Sequence, residues 1–232
     1  MAGNLKAILA EFIATFAFVL AGAGAVSVDA LTGGGLGWGG IALAHALAAT
    51  GLALVYGRAS GAHFNPAVTL ALLANGRLNL IKAVFYITAQ LLGAALGSLF
   101  LKAVLNARPE LASAPPFLGA CDFTVVGYKA ATLLEAVLTF FLVTAVYSTT
   151  VESRGSHVAA PLALGAIYGF GVLVSGPLTG GALNPARAFG PAVSTGHWAH
   201  WWVYWIGPLA GAAAASMLYE YLYLEKKQPQ GL

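Results

Sequence analysis

Two short stretches decide the architecture of this chain: SGAHFNPA at residues 60–67 and TGGALNPA at residues 179–186. Both end in Asn-Pro-Ala, and both lie between long apolar segments. Because proline is favoured in the first turn of a helix and asparagine is a good N-cap, the motifs predict helices that begin at Pro66 and Pro185. The apolar runs that follow are too short to cross a bilayer. We therefore interpret them as half-helices that dip into the membrane.

The composition is that of a membrane protein. Of the 232 residues, 59% are hydrophobic and 8% are charged, and the mean hydropathy is +0.80, whereas a soluble domain carries roughly 25% charged residues. Apolar stretches close to the ~20 residues of a transmembrane helix predict spans at about 5–28, 37–57, 80–104, 129–150, 158–176 and 200–223. The predicted fold is an all-α membrane protein with six transmembrane helices and two re-entrant half-helices.

The chain is predicted to be an internal repeat. Asn65 and Asn184 lie 119 residues apart (184 − 65), and each follows two predicted spans and precedes one. Three spans per copy is an odd number, so the second copy enters the membrane from the opposite face, which gives an inverted repeat. We assign one domain, residues 1–232, with repeats 1–107 and 123–232 joined by the linker 108–122.

The distribution of basic residues predicts the orientation, because lysine and arginine collect on the cytoplasmic side. With the N-terminus inside, seven basic residues lie on the cytoplasmic side and three on the other. The seven are Lys6, Arg58, Arg77, Lys82, Arg154, Lys226 and Lys227, and the three are Lys102, Arg108 and Lys129. Both termini are therefore predicted to be cytoplasmic.

Two half-helices that enter from opposite faces would meet by their N-termini near the bilayer midplane, where both helix dipoles repel cations. The amide groups of Asn65 and Asn184 are expected to turn N–H donors toward the lumen and to hold a water that breaks a proton-conducting chain. Backbone carbonyls of the adjoining non-helical segments are expected to line the same lumen. Those residues are Gly61, Ala62, His63, Gly180, Gly181 and Ala182. The pattern predicts a narrow, neutral, proton-excluding pore.

With these motifs the sequence resembles the aquaporin, or major intrinsic protein, family. The resemblance covers nearly the whole chain and rests on residues 10–12, 60–69 and 184–191 together with Gln90 and Glu135. It implies a passive channel without enzymatic activity, cofactor, metal site or nucleic-acid partner. It also implies a homotetramer in the lipid bilayer with one pore in each subunit.

Glu11 and Glu135 stand in equivalent predicted spans, where a carboxylate is by default functional. One reading is a proton relay, and the other is a brace that accepts backbone N–H groups of the re-entrant loops. The family resemblance favours the brace. A proton path would instead make the protein an ion- or proton-coupled secondary transporter, which also uses inverted repeats.

The family resemblance assigns an outer selectivity filter to His45, Val172, Gly181 and Arg187. Considered alone, His45 fits a packing histidine better than a pore residue, and only the resemblance places it in the filter. This combination is similar to that of plant vacuolar-type and other ammonia-permeable aquaporins. It predicts passage of water and ammonia, with hydrogen peroxide and urea as further candidates. Cys121 is expected to lie outside this filter.

Glycerol is not an expected solute. Glycerol-conducting relatives carry an aspartate after the filter arginine, where this chain has Ala188, and a basic residue four positions further on, where it has Ala192.

A poorly conducting, junction-forming member of the family is a further alternative. The His- and Trp-rich segment 197–202 fits an interfacial aromatic belt better than a metal site. The plasma membrane and a vacuolar-type membrane both remain open as locations.

Overall fold

The computed structural model describes residues 2–106, 108–110, 116–152 and 154–224, without the side chains of residues 2 and 3. Within these ranges the chain forms eight α-helices. They are α1 (Ala2–Leu31), α2 (Gly37–Ser60), α3 (Pro66–Ala74), α4 (Leu80–Val104), α5 (Tyr128–Val146), α6 (Ala160–Thr179), α7 (Pro185–Thr195) and α8 (Val203–Leu222). A π-helical turn, Tyr147–Val151, extends α5, and a single 3₁₀ turn covers Phe117–Gly119.

The long helices confirm the predicted spans, with ends displaced by a few residues. Five helical segments of the described chain are long and apolar enough to cross a membrane, and they contain α1, α2, α4, α5 and α6. The sixth, α8, has 20 residues, which corresponds to about 30 Å of helix. The two short helices, α3 with 9 residues and α7 with 11, are the predicted half-helices.

Helix packing follows the repeat. In the first half α1 packs mainly against α4, in the second α5 packs mainly against α8, and α2 packs against α6 where the halves meet. Each half-helix also packs on the last helix of the other half, α3 on α8 and α7 on α4. The half-helices therefore interlock the two repeats.

Glycines allow the close approach of these helix pairs. A Cβ on Gly93 of α4 would lie 2.3 Å from the carbonyl oxygen of Phe12 on α1. In the second half, a Cβ on Gly211 of α8 would lie 1.9 Å from the carbonyl oxygen of Ala136 on α5. Close backbone approach through small residues is the usual basis of helix association in lipid.

The predicted linker 108–122 is only partly described, because residues 111–115 lie outside the described ranges, as do Lys226 and Lys227. Its described end carries the 3₁₀ turn, which contacts α1 and α7. The linker therefore folds back over the helices on the face opposite the N-terminus.

Candidate functional site at the helix crossing and the outer filter

The two asparagines cap the half-helices as the motifs predict. The Asn65 side-chain oxygen accepts a hydrogen bond from the Ala67 N–H at 2.8 Å. The Asn184 oxygen accepts from the N–H of Ala186 at 2.9 Å and of Arg187 at 3.4 Å. Both asparagines have extended backbones, with φ of −152° and −154°. Because the oxygens face the helices, the Nδ2 groups face away from them.

Those Nδ2 groups cross from one motif to the other. Asn65 Nδ2 donates to the carbonyl of Leu183 at 2.9 Å, and Asn184 Nδ2 donates to the carbonyl of Phe64 at 2.8 Å. Phe64 and Leu183 both have positive φ, 31° and 52°, which is uncommon for residues with a side chain. This strained backbone supplies the carbonyls that the opposite asparagines bind.

The second N–H of each asparagine amide meets a side chain that the sequence did not single out. The Tyr168 hydroxyl of α6 accepts from Asn65 Nδ2 at 2.9 Å and from Asn184 Nδ2 at 3.4 Å. Both amides thus have a protein partner in Tyr168, and the water expected at this point stays a prediction. A usable signal for Tyr168 was its spacing, since it lies four residues before Val172 and so on the same face of α6.

Glu11 holds the first re-entrant loop in place. Its Oε1 accepts from the Ser60 hydroxyl at 2.6 Å and from the His63 N–H at 2.9 Å. Its Oε2 accepts from the Phe64 N–H and from Gln90 Nε2, both at 2.7 Å. Glu11 is fully buried, so these four bonds are what compensates its desolvation.

Glu135 does the same for the second loop. Its Oε1 accepts from the Thr179 hydroxyl at 2.7 Å and from the Ala182 N–H at 3.1 Å, and its Oε2 accepts from the Leu183 N–H at 2.7 Å. Each of these three donors lies 119 residues after a donor to Glu11. The geometry is that of a brace.

Tyrosine hydroxyls secure the helix ends before the loops in the same symmetric way. The Tyr86 hydroxyl of α4 donates to the Ser60 carbonyl, and the Tyr204 hydroxyl of α8 donates to the Thr179 carbonyl, both at 2.9 Å. Both tyrosines are buried. The frame around the two motifs is therefore nearly the same in both repeats.

Arg187, in the first turn of α7, is 2% exposed. Its Nη1 donates to the Gly119 carbonyl at 2.7 Å and also contacts the Cys121 sulfur. Its Nε has no hydrogen-bond partner among the described residues. The expectation that Cys121 lies outside the filter is therefore corrected, because the linker places its thiol against the filter arginine. Burial raises the pKa of this thiol to about 12, so it stays protonated at neutral pH.

His45 lies on α2 and is 1% exposed. Its Nδ1 is 2.9 Å from the Ile41 carbonyl, while its Nε2 has no partner among the residues described. A carbonyl only accepts hydrogen bonds, so Nδ1 carries the proton, and Nε2 of the neutral ring is an acceptor. The ring also packs closely on α1, where a Cβ on Gly22 would lie 2.4 Å from Nε2.

Val172 and Gly181 complete the predicted set. Val172 is fully buried and packs in one cluster with Ile41 and Ala42 of α2. Gly181 has a φ of 62°, and a Cβ on it would lie 3.2 Å from the Val172 Cα. The fold thus brings Gly181 to Val172 and Val172 to the helix turn that holds His45.

The linker is fixed to the end of the molecule opposite the N-terminus by a carboxylate between two histidines. Asp122 Oδ2 is 2.7 Å from His197 Nε2, and Asp122 Oδ1 is 3.1 Å from His200 Nδ1. Partial burial would raise the pKa of Asp122, but hydrogen bonds from the two histidine rings and the Phe123 N–H hold it below its usual value. Trp198 and Trp201 of the same segment are exposed, as in an aromatic belt.

His63 lies at the end of the site that is nearer the N-terminal face. A cavity of about 840 Å³ opens on the N-terminal face, and Gly61, Ala62 and His63 are among its lining residues, with His157 from the loop before α6. His63 Nδ1 is 3.1 Å from the Thr69 hydroxyl. The first re-entrant loop therefore lines a vestibule.

Comparison with known proteins agrees with this geometry. The family model for "Major intrinsic protein" matches residues 1–219. The chain is 44% identical to "Aquaporin TIP4-4" of Zea mays, over 96% of this chain and 88% of that protein. It is 42% identical to "Aquaporin TIP1-2" of Zea mays, over 98% of this chain and 89% of that one.

A solved structure shares the fold. The aquaglyceroporin from Plasmodium falciparum superposes with a TM-score of 0.85 at 25% identity, covering 94% of this chain and 96% of that one. Family membership, the apolar helices and the paired half-helices agree with one another. The chain belongs to the major intrinsic protein family and is a multi-pass membrane channel of the aquaporin type, not an enzyme.

Proposed function

We propose that this channel conducts water and ammonia passively and excludes protons and other ions. The observation that carries the proposal concerns two polar atoms of the outer filter, His45 Nε2 and Arg187 Nε, which have no hydrogen-bond partner in the described part of the chain. The first is an acceptor and the second is a donor. A neutral solute that both donates and accepts hydrogen bonds satisfies the two together, and water and ammonia do so.

The other two filter residues support ammonia beside water. Val172 contributes only apolar surface, and Gly181 contributes no side chain, so His45 and Arg187 supply the polar side-chain contacts of the filter. Ammonia is hydrated less strongly than an ion, so partial dehydration beside an apolar wall costs ammonia less free energy than it costs a charged solute. Hydrogen peroxide and urea share the donor and acceptor chemistry and are secondary candidates.

Ion exclusion is attributed to charge. The buried guanidinium of Arg187 is a fixed positive charge near the outer filter, and the N-termini of α3 and α7 add positive dipole ends at the crossing. A cation would meet both after losing its hydration shell. The carboxylates of Glu11 and Glu135 are occupied by loop donors, which argues against the alternative of a proton-coupled transporter.

We further propose a homotetramer with one pore in each subunit and both termini in the cytoplasm. The repeats 1–107 and 123–232 with their linker are proposed as the structural division. A vacuolar-type membrane is the proposed location, because the relatives at 42–44% identity are TIP aquaporins. The plasma membrane is the alternative.

The proposal is tested by stopped-flow light scattering on proteoliposomes with water, ammonia, urea and glycerol. Wild type is compared with the double variant His45→Phe plus Val172→His, which narrows the filter and moves its imidazole. We expect water flux to survive, ammonia flux to fall about ten-fold or more for a lost contact of roughly 1.4 kcal/mol, and glycerol flux to be low in both. Unchanged ammonia flux in the double variant would refute the filter assignment. Saturable, pH-driven uptake would favour a transporter.

A further inference from the structure

The centre of the pore carries an aromatic side chain that neither the motifs nor the outer filter explain. We propose that Tyr168 is the gate of this channel: its phenol closes the lumen at the asparagine pair, and a solute passes only when the ring moves aside. The inference rests on the proposed channel function and deepens it.

The position of Tyr168 is in the conduction path. Its hydroxyl contacts the side chains of both Asn65 and Asn184, which mark the meeting point of the half-helices. It lies one helical turn from Val172 of the outer filter, on the same face of α6, toward the N-terminal face. The lumen between the filter and the inner vestibule must pass this point.

The ring fills the space there. Its centroid lies 4.7 Å from that of Phe18 on α1 and 5.9 Å from that of Phe64 in the first loop. Tyr168 is 1% exposed, and Asn65 and Asn184 are 0% exposed. The two asparagines therefore have almost no water-accessible surface, although a water file would have to touch them. The structure corresponds to a closed state at this level.

Hydrogen bonds from the two asparagine amides hold the Tyr168 hydroxyl at this point. Each asparagine amide uses its oxygen on the half-helix and one N–H on the opposite carbonyl, and its remaining N–H goes to the phenol oxygen. A water at this point would accept two bonds and donate two, whereas a phenol that accepts two has only one hydrogen to donate. The phenol thus replaces the central water and interrupts the file.

The repeat itself does not demand a tyrosine at this place. The residue 119 positions earlier (168 − 119) is Ala49 on α2, which is fully buried. Its small side chain leaves the corresponding space on α2 to other groups. The tyrosine is therefore an addition in one repeat only, which fits a control element better than a packing requirement.

The test compares water permeability per channel in proteoliposomes for wild type, Tyr168→Val and Tyr168→Phe. Valine removes both the bulk and the hydrogen bonds, while phenylalanine removes the hydrogen bonds alone. Two hydrogen bonds of ordinary strength bias a closed state by about five- to 150-fold. We expect Tyr168→Val to raise permeability by about that factor and Tyr168→Phe to raise it less.

Tyr147 provides the matched control. It is also a fully buried tyrosine, and its hydroxyl accepts from Asn75 Nδ2 at 3.0 Å and donates to the Ala71 carbonyl of α3 at 3.1 Å. It lies at the end of α5, away from the crossing. The same two substitutions at Tyr147 should leave permeability at or below the wild-type value, which separates gating from general loosening.

The outcomes distinguish the gate from the channel. If wild type conducts water and Tyr168→Val conducts it no faster than wild type, the gate is refuted and the proposed function stays intact. Background permeability in wild type and in both Tyr168 variants would refute the proposed function itself. If Tyr168→Val does not assemble, Tyr168→Phe decides, and no increase there refutes the gate. A weaker temperature dependence of water flow in the variants than in wild type would support it.

Discussion

The two re-entrant loops are built alike but serve the pore differently. Donors at residues 60, 63 and 64 bind Glu11, and those 119 positions later, at 179, 182 and 183, bind Glu135. Yet the counterpart of Arg187 in the first half-helix is Val68, and the counterpart of Tyr168 on α2 is Ala49. The symmetric residues hold the two loops in place, and the asymmetric ones are those that we propose to act on the solute.

The largest expected effect comes from replacing Arg187, a charged residue that the first repeat lacks. Arg187→Val introduces the residue of the first repeat and removes the fixed charge. At about 6 Å and an effective dielectric constant near 20, that charge opposes a cation by about 3 kcal/mol, or roughly a hundred-fold in flux. We expect proton or cation leakage driven by a potassium diffusion potential, measured with a pH-sensitive dye inside vesicles. Leakage equal to that of wild type would assign ion exclusion to the helix crossing alone.

A smaller effect is expected from weakening the hydrogen bonds that Glu11 and Glu135 accept, and it should appear in both halves. Glu11→Gln and Glu135→Gln each replace one acceptor oxygen by an N–H₂ group that faces N–H and O–H donors. A buried unsatisfied donor costs roughly 1–3 kcal/mol. We expect both variants to unfold at lower temperature in detergent, with Glu11→Gln the more affected because it also loses Gln90. Loss of stability in only one variant would mean that the repeats share geometry but not energetics.

The smallest predicted effect concerns the position of the His45 ring against α1. Gly22→Ala adds a Cβ where Nε2 lies, so the ring must move. Overpacking of this kind costs about 1–3 kcal/mol, and we expect the ratio of ammonia to water permeability to change about three-fold or more. Gly24→Ala on the same helix is the control, because its nearest neighbour would be Leu101 Cδ1 at 3.9 Å.

Removing the ring provides the decisive comparison for that prediction. In a His45→Ala background, Gly22→Ala should no longer change the ratio, since the group it displaces is gone. An equal effect of Gly22→Ala with and without the imidazole would mean that the glycine acts on helix packing and not on the filter.

Local signals in the sequence were sufficient for the frame. Asparagine followed by proline sets a helix start, and apolar stretches of about 20 residues set the spans, because both depend on backbone chemistry and membrane thickness. The buried glutamates were also predictable, since a membrane carboxylate must find donors. The structure confirms the spans and the two half-helices that these signals predict.

The contacts that distinguish this channel depend on tertiary placement. Tyr168 meets the asparagines only because of the rotation of α6 about its axis, and Cys121 meets Arg187 only because the linker folds over the outer face. No sequence feature next to Tyr168 or Cys121 predicts these contacts. The spacing of Tyr168 from Val172 was a signal, but it becomes informative only once α6 is known to face the lumen.

The crossed packing of the half-helices has a consequence for how the protein is made. Asn65 reaches its partner carbonyl only when residue 183 is present, and α3 packs against α8, which is synthesised well after it. The first repeat can therefore enter the bilayer with its spans formed while its half-helix still lacks its partners. The packing around both half-helices can therefore be complete only after α8 has been synthesised.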